Sequence, residues 1–517
     1  MRTACFLLLL FLLVPLTAFG TIRVVPDLYP TITSALEASL ANDTVMLLPG
    51  DYRENVTVSF PLSIISRSVF TRDTNDLQNT IWHCTGDTLI HVDSTSLKLY
   101  GIHFQSDTMT SANLLLTSTN SRISMIDCRI EGVFDSSRSY SSGTIRINGL
   151  ESEGVFEKCV FYRDTIGLNP MIYCNGTLRI TYSSFFDRRN SMTNSNRMIH
   201  GGDTTIIQNS LFRNRGGVVD LRNYYLIENT NFIGSGSLTV VSVMPNCTRS
   251  EISNCIFDSI NVTNQDPIVF SNTINPPVQF RNCRFSNSIG NSMGYFYGTS
   301  RLQFFDCEFR NNSGSSVLFR VSNCQIFQSI FRGNQSPLFS NRGFNTNIFV
   351  QNTDFIDNAQ FETVPDGETR LDTANVPNCY WDDPTGPHHV MNLAGLGMNL
   401  PDFVNPFPFR TAPVFPESST QEYPSENTLP TSPRITLAYP NPFNSSTTIR
   451  YSLPQAGDAT IAVYDVTGRV VTELRKGYLP GGDGSYHWRA DAVASGTYFV
   501  RMKTSNGVSL QEIHLIK

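Results

Sequence analysis

Hydrophobic and polar positions recur along most of the chain in one short figure. The segments Phe156–Phe161, Ile252–Phe257, Phe280–Phe285, Phe304–Phe309 and Val350–Phe355 share the order apolar, any, Asn-like, small, any, Phe. The closing apolar position falls at residues 104, 130, 161, 185, 212, 232, 257, 285, 309, 331 and 355, a spacing of 20 to 31 residues centred near 25. The small residue and the Phe stand two apart, so both point to one side of a strand. The leading apolar residue, three before the small one, breaks that parity, and a turn must lie between. The Asn-like slot supplies it, because Asn and Asp tolerate the left-handed backbone of a tight corner. Asn209, Asn229, Asn254, Asn282 and Asn352 fill this slot, as do Asp127 and Asp306, while Lys158 and Tyr182 depart from it. Short strands joined by corners at this period describe one coil of a parallel β-helix, with coils stacked about 4.8 Å apart. Helical repeats are longer, and a leucine-rich consensus is missing from these segments.

An open solenoid end needs a cover. Ile32, Ala35, Leu36 and Leu40 follow helical spacing, and Pro30 and Thr31 suit a helix start, so a short capping helix is expected ahead of a strand at 44–48. Before it, Arg2, the apolar run Phe6–Leu13 and the small residues Ala18 and Gly20 have the form of an export signal cut after Gly20. The apolar run is too short to span a bilayer.

Charged residues make up 16% of the chain and the formal net charge is -6, with no basic block, which argues against nucleic acid and against an anionic membrane surface as partner. Cys128, Cys159, Cys255, Cys283 and Cys307 all occupy the small inward slot. Their expected state is buried free thiol, a small hydrophobe, although cysteines on neighbouring coils lie within disulfide reach. No Cys-x-x-Cys or His-x-x-x-His pair suggests a metal site.

Two stretches carry a family resemblance. The run from Tyr29 through Leu36, followed by Asp43-Thr-Val-Met-Leu-Leu-Pro-Gly-Asp-Tyr-Arg-Glu-Asn-Val, resembles the opening of pectin-lyase-like right-handed parallel β-helix proteins. Asn378-Cys-Tyr380-Trp381-Asp382, with Gly386-Pro387 close behind, is similar to the run that ends many such helices on bacterial surfaces, with Asp382 where a Gly is usual. The resemblance covers roughly residues 21–405 and implies the right-handed form of the solenoid.

Residues 406–434 are rich in Pro, with Ser, Thr and Glu between, and read as an extended linker. Beyond it, alternation at Ile449-Tyr451-Leu453, Ile461-Val463 and Tyr498-Val500-Met502, with turns at Asp465–Gly468 and Gly481–Gly484, suggests about seven strands in an immunoglobulin-like β-sandwich over 435–517. Ala438-Tyr-Pro-Asn-Pro-Phe-Asn444, Val463–Val470, Ser495–Phe499 and the terminal Lys517 resemble a type IX secretion C-terminal sorting domain. That resemblance implies outer-membrane secretion machinery as partner, cleavage at the surface and residence on or beyond a Gram-negative-type cell. The expected organisation is therefore 1–20 signal, 21–405 all-β solenoid, 406–434 linker and 435–517 sorting domain.

Candidate chemistry is sparse. Pectin-lyase-like helices include polysaccharide lyases, which need stacked carboxylates holding Ca²⁺ and an Arg or Lys base, and hydrolases, which need facing carboxylates. Asp164, Asp187 and Asp258 fall at three different offsets from their Phe. Asp187-Arg188-Arg189 is the best acid–base cluster, against the plainer reading of a solvated turn. Arg213, Arg310 and Arg332 each follow the repeat Phe and suggest a basic stripe for an anionic glycan, against an ordinary outward position. Tyr295, Phe296 and Tyr297, or Tyr380 and Trp381, are candidate sugar platforms, against the plainer reading of core aromatics. His388-His389 lacks spaced partners. The expectation is a non-catalytic glycan-binding or structural element, without cofactor. The alternative is a polysaccharide lyase, using Ca²⁺, or less readily a glycoside hydrolase assembled from the insertions near 131–150 and 186–200.

Overall fold

The computed structural model describes residues 20–71, 73–84, 88–106, 114–131, 144–163, 170–187, 198–213, 219–234, 238–240, 250–262, 269–271, 277–297, 302–319, 324–335, 337–340, 347–363, 373–415, 432–439, 441, 443–453, 457–479, 482–490, 493–505 and 507–516. The expected signal segment, the insertions near 131–150 and 186–200 for the most part, and most of the linker lie outside the described residues.

Three long parallel sheets run the length of the repeat region. The first has sixteen strands, from Ile22–Val25 to Val404–Asn405; the second has thirteen, from Gly50–Tyr52 to Asp354–Ile356; the third has fourteen, from Val56–Val58 to Glu362–Thr363. Within each coil the chain visits the three sheets in turn, and strands pair with their counterparts one coil later, as in Phe212↔Phe232, Phe232↔Phe257 and Phe257↔Phe285. The repeat region is thus a parallel β-solenoid.

The repeated Phe holds the coils in register. Phe161, Phe185, Phe212, Phe232 and Phe257 stack with centroids 4.5, 4.6, 5.2 and 4.9 Å apart along the second sheet. The stack continues through Phe285, Phe309, Phe331 and Phe355 at 4.8, 5.1, 4.4 and 5.3 Å. Trp381 closes it, 4.5 Å from Phe355 and fully buried. Burying each ring contributes about 1.5–3 kcal/mol, and each aromatic pair about 0.5–1.5 kcal/mol more.

The Asn-like slot is the corner that the broken parity requires. Asp127, Asn209, Asn229, Asn254, Asn282, Asp306 and Asn352 all have φ between 50° and 55°, and so do the exceptions Lys158 and Tyr182. A second corner, two residues after the Phe, is also left-handed at Gly234, Ser259, Asn287, Asn311, Gly333 and Asp357. Asp382 keeps the same handedness, with φ of 69°, so the substitution of Asp for Gly leaves that turn in the conformation a Gly would supply.

The inward small slot accepts Cys, Ser or Thr for one reason: each reaches a backbone group across neighbouring coils. The Cys159 thiol donates to the carbonyl oxygen of Met125 at 3.3 Å, and that of Cys283 to Ile252 at 3.4 Å. Ser183 and Ser210 instead accept from the N–H groups of Cys159 and Ser183, at 3.0 and 3.2 Å. Cys128, Cys159, Cys255, Cys283 and Cys307 are buried thiols in no disulfide, as are Cys84, Cys174, Cys324 and Cys379. A further polar column, Asn312, Asn334 and Asn358, forms an internal amide ladder, with Nδ2 to Oδ1 distances of 3.0 and 2.8 Å.

The capping helix is Ile32–Glu37, opened by Thr31, whose side chain accepts from the Ser34 N–H. Ile32 and Ala35 are buried, but Leu40 lies beyond the helix and is 72% exposed, which corrects its place on the apolar face. The chain leaves the helix after one and a half turns because Asp43 captures the Leu40 N–H at 2.9 Å and turns it into the Thr44–Leu47 strand. The strand Ile22–Val25, ahead of the helix, pairs with Thr44–Leu47 and starts the first sheet.

The C-terminal region changes to antiparallel pairing. Arg434–Tyr439, Ser446–Leu453 and Gly482–Arg489 form one sheet; Val470–Leu479, Gly457–Asp465, Gly496–Thr504 and Gly507–Leu515 form another. Ile449, Ile461, Val463, Val500, Met502 and Ile513 form their own fully buried core. Among the described residues no helix is long and apolar enough to cross a membrane.

Candidate functional site

A solenoid exposes every second residue of each strand, so functional side chains must come from outward columns built coil by coil. On the first sheet the outward pairs of four successive coils are Gln279/Arg281, Gln303/Phe305, Gln325/Phe327 and Phe349/Gln351. The amides form a rail: Gln279 Nε2 donates to Gln303 Oε1 at 2.8 Å, and Gln303 Nε2 to Gln325 Oε1 at 2.6 Å. The Gln303 amide thereby uses one of two N–H groups and one of two lone pairs, leaving one of each for a ligand. Beside the rail, the Arg281 guanidinium lies over the Phe305 ring at 4.2 Å, and Phe305 stacks on Phe327 at 5.2 Å. Phe349 follows diagonally at 5.8 Å, but its plane is turned 51° from Phe327, which frees part of its face. All of these side chains are half-buried.

The third sheet carries a different column. Arg146, Tyr173, His200 and Asp220 stand in register on successive coils. Tyr173 and His200 stack at 4.7 Å within 5° of parallel, and His200 Nδ1 lies 3.1 Å from an Asp220 carboxylate oxygen. An acid on one ring nitrogen fixes the tautomer and leaves Nε2 on the opposite edge, the geometry of an oriented base.

The residues singled out from the sequence fare unevenly. Asp258 does not stand free as an acid: its carboxylate accepts from Ser259, Ser286 and Asn287. Asp164, Arg188 and Arg189 lie outside the described residues, and the described backbone of Asp187 ends the strand Ser184–Asp187. Arg310 and Arg332 are direct neighbours in register, but Arg213 sits four coils earlier, with Ile233, Asp258 and Ser286 between, so the three do not make one stripe. Trp381 is core and Tyr380 is 9% exposed, which removes that pair as a sugar platform. Tyr295, Phe296 and Tyr297 belong to the strand Ile289–Tyr297, where their side chains lie outside the described residues. His388 and His389 fold back locally: the backbone N–H of Met391 donates to His389 Nδ1 at 3.3 Å. Among the described residues no three His, Cys, Asp or Glu side chains are grouped to hold a metal ion.

Both outward columns escaped the sequence reading. The Gln rail was legible in principle, since Gln279, Gln303 and Gln325 each lie one residue after an inward apolar position of the repeat. The Tyr173–His200–Asp220 column had no such signal, because loops of unequal length precede the third-sheet strands.

Residues 437–516 match the family described as secretion system C-terminal sorting domain. No curated protein and no solved structure matches the chain. The match assigns the two antiparallel sheets to a type IX sorting domain, which implies interaction with the secretion machinery and indicates export to the cell surface or the extracellular space.

Proposed function

We propose that the chain is an exported surface protein whose solenoid, a pectin-lyase-like helix with the export signal and domain limits expected from the sequence, binds extended neutral polysaccharide along its first sheet. The observation that carries this reading is the Gln279–Gln303–Gln325 rail ending at the turned face of Phe349. Sugar hydroxyls both donate and accept, which suits amides that keep one N–H and one lone pair. The apolar face of a pyranose suits an aromatic face. The rail repeats about every 4.8 Å, so a periodic polymer meets equivalent groups on each coil. Retention of the full-length chain on insoluble neutral polysaccharides tests the proposal. Gln303→Ala should weaken retention about fivefold, as expected from the loss of a hydrogen bond worth about 1 kcal/mol. Phe349→Ala should weaken it further. Unchanged retention in both variants overturns the assignment.

The His200–Asp220 pair favours a second reading, a polysaccharide lyase with His200 as base and Arg146 on the same column to meet an acidic sugar. Ultraviolet absorbance from unsaturated product, lost in His200→Ala, would establish it. Release of no product from acidic polysaccharides, with or without Ca²⁺, would leave binding as the function.

A further inference from the structure

The second sheet has an outward column that is unusual for its burial. In register it reads Ser184, Leu211, Asn231, Ile256, Arg284 and Glu308. These positions alternate with the stacked Phe and point away from the core, yet Leu211, Asn231 and Ile256 are only 9%, 4% and 5% exposed. Arg129 and Val160 on the preceding coils, and Ile330 on the coil after Glu308, are only half-buried in the same column. Something covers the middle of this face.

The cover is identified by two contacts at its edges. Arg450, on the Ser446–Leu453 strand of the sorting domain, donates through Nη1 to Glu308 Oε2 at 3.2 Å. Tyr182, two residues before Ser184, packs against the buried core of the sorting domain. From the Ser184 coil to the Glu308 coil is five steps, about 24 Å at the ordinary strand spacing. The three buried outward residues lie on the coils between. Burial pushes the Glu308 carboxyl up, but Arg450, Arg284 and Arg310 together outweigh it and hold the group below its ordinary range, so it is an anion facing three guanidinium groups.

We propose that the outward face of the second sheet is a docking surface for the chain's own sorting domain, which masks the Leu211–Asn231–Ile256 strip and is latched by the Arg450–Glu308 ion pair. The full-length protein is then a closed form. Departure of the sorting domain uncovers the Leu211 and Ile256 side chains and the Asn231 amide between them, with Arg284 and Glu308 at one end, on a face separate from the Gln rail. The latch is electrostatic and lies at the edge of the contact, so salt loosens it.

Side-chain footprinting of the full-length chain tests this. Leu211 and Ile256 should be protected from solvent labelling in the native protein. Glu308→Arg and Arg450→Glu should each raise their labelling several-fold, while the core residues Phe212 and Phe257 stay protected and show that the solenoid is folded. The double variant, with the pair reversed, should restore protection, a result that loss of packing alone would not give. Unchanged labelling in both single variants, or no recovery in the double, overturns the proposal.

Discussion

Truncating one ring of the Phe stack measures how far stability propagates along the solenoid. Phe212 is fully buried between Phe185 and Phe232, with centroids 4.6 and 5.2 Å away and interplanar angles of 7° and 10°. Phe212→Ala removes the ring and both stacked pairs. The cost of a buried Phe→Ala change is about 3–5 kcal/mol, and the lost pairs, at about 0.5–1.5 kcal/mol each, place this site in the upper part of that range. A loss near 4 kcal/mol lowers amide-exchange protection by about three decades. Each coil touches only its neighbours, so the loss should concentrate in Ser184–Asp187, Leu211–Arg213 and Asn231–Ile233. The terminal strands Gly50–Tyr52 and Asp354–Ile356 should keep their protection. Phe212→Leu, which keeps much of the volume but loses both stacked pairs, should cost about 1–3 kcal/mol, less than the Ala variant. Native-state hydrogen exchange resolved by peptide is the assay. A loss below about 1 kcal/mol in the Ala variant, or one spread evenly from the first strand to the last, would refute the reasoning that the stack acts locally.

Other perturbations test separate links of the argument. Lys158→Asn places a residue that tolerates the left-handed corner at φ of 55°, and should raise the denaturant midpoint by an amount equivalent to about 1 kcal/mol. The thiols of Cys283, Cys307 and Cys324 are pushed up by burial, and the nine described cysteines should resist thiol reagents in the native state and react promptly in denaturant. Asp43 accepts from the Leu40 and Thr21 N–H groups and from Arg23, which outweigh its burial and hold its carboxyl below the ordinary range. A depressed carboxyl contributes stability that is present above the unfolded value near 3.9 and is lost as pH falls through the folded value. The cap should therefore loosen below about pH 4, and Asp43→Asn should flatten that dependence in acid titrations followed by exchange at Thr44–Leu47.

The repeat was legible because every coil asks the same question of the same residue. A ring that must stack on its neighbours, a small inward group and a left-handed corner each leave one residue type at a fixed offset, so Phe257, Cys255 and Asn254 were readable from local order alone. The second corner was equally regular, at Gly234, Ser259, Asn287, Asn311, Gly333 and Asp357, yet its six positions share a backbone conformation among four residue types and so leave a weaker pattern. Leu40 was misplaced because helical spacing cannot see Asp43, just ahead of the next strand, ending the turn. The outward columns depend on register between coils. For Tyr173, His200 and Asp220 that register is set by loops whose lengths differ, and no rule of local spacing recovers it. The sorting domain was legible for a different reason: its signature lies in contiguous runs, and the family match over 437–516 agrees with them.

The Phe stack also makes the molecule a ruler. Thirteen strands of the second sheet are separated by twelve equal steps, so their first and last members stand about 58 Å apart, and adding or deleting one coil changes that by one step of about 4.8 Å. Loops may lengthen or shrink without disturbing this distance, since they leave the sheets sideways. Whatever the far end of the solenoid touches is therefore held at a height counted in whole coils, and a lineage can adjust that reach by duplicating a single 25-residue unit without redesigning any contact surface.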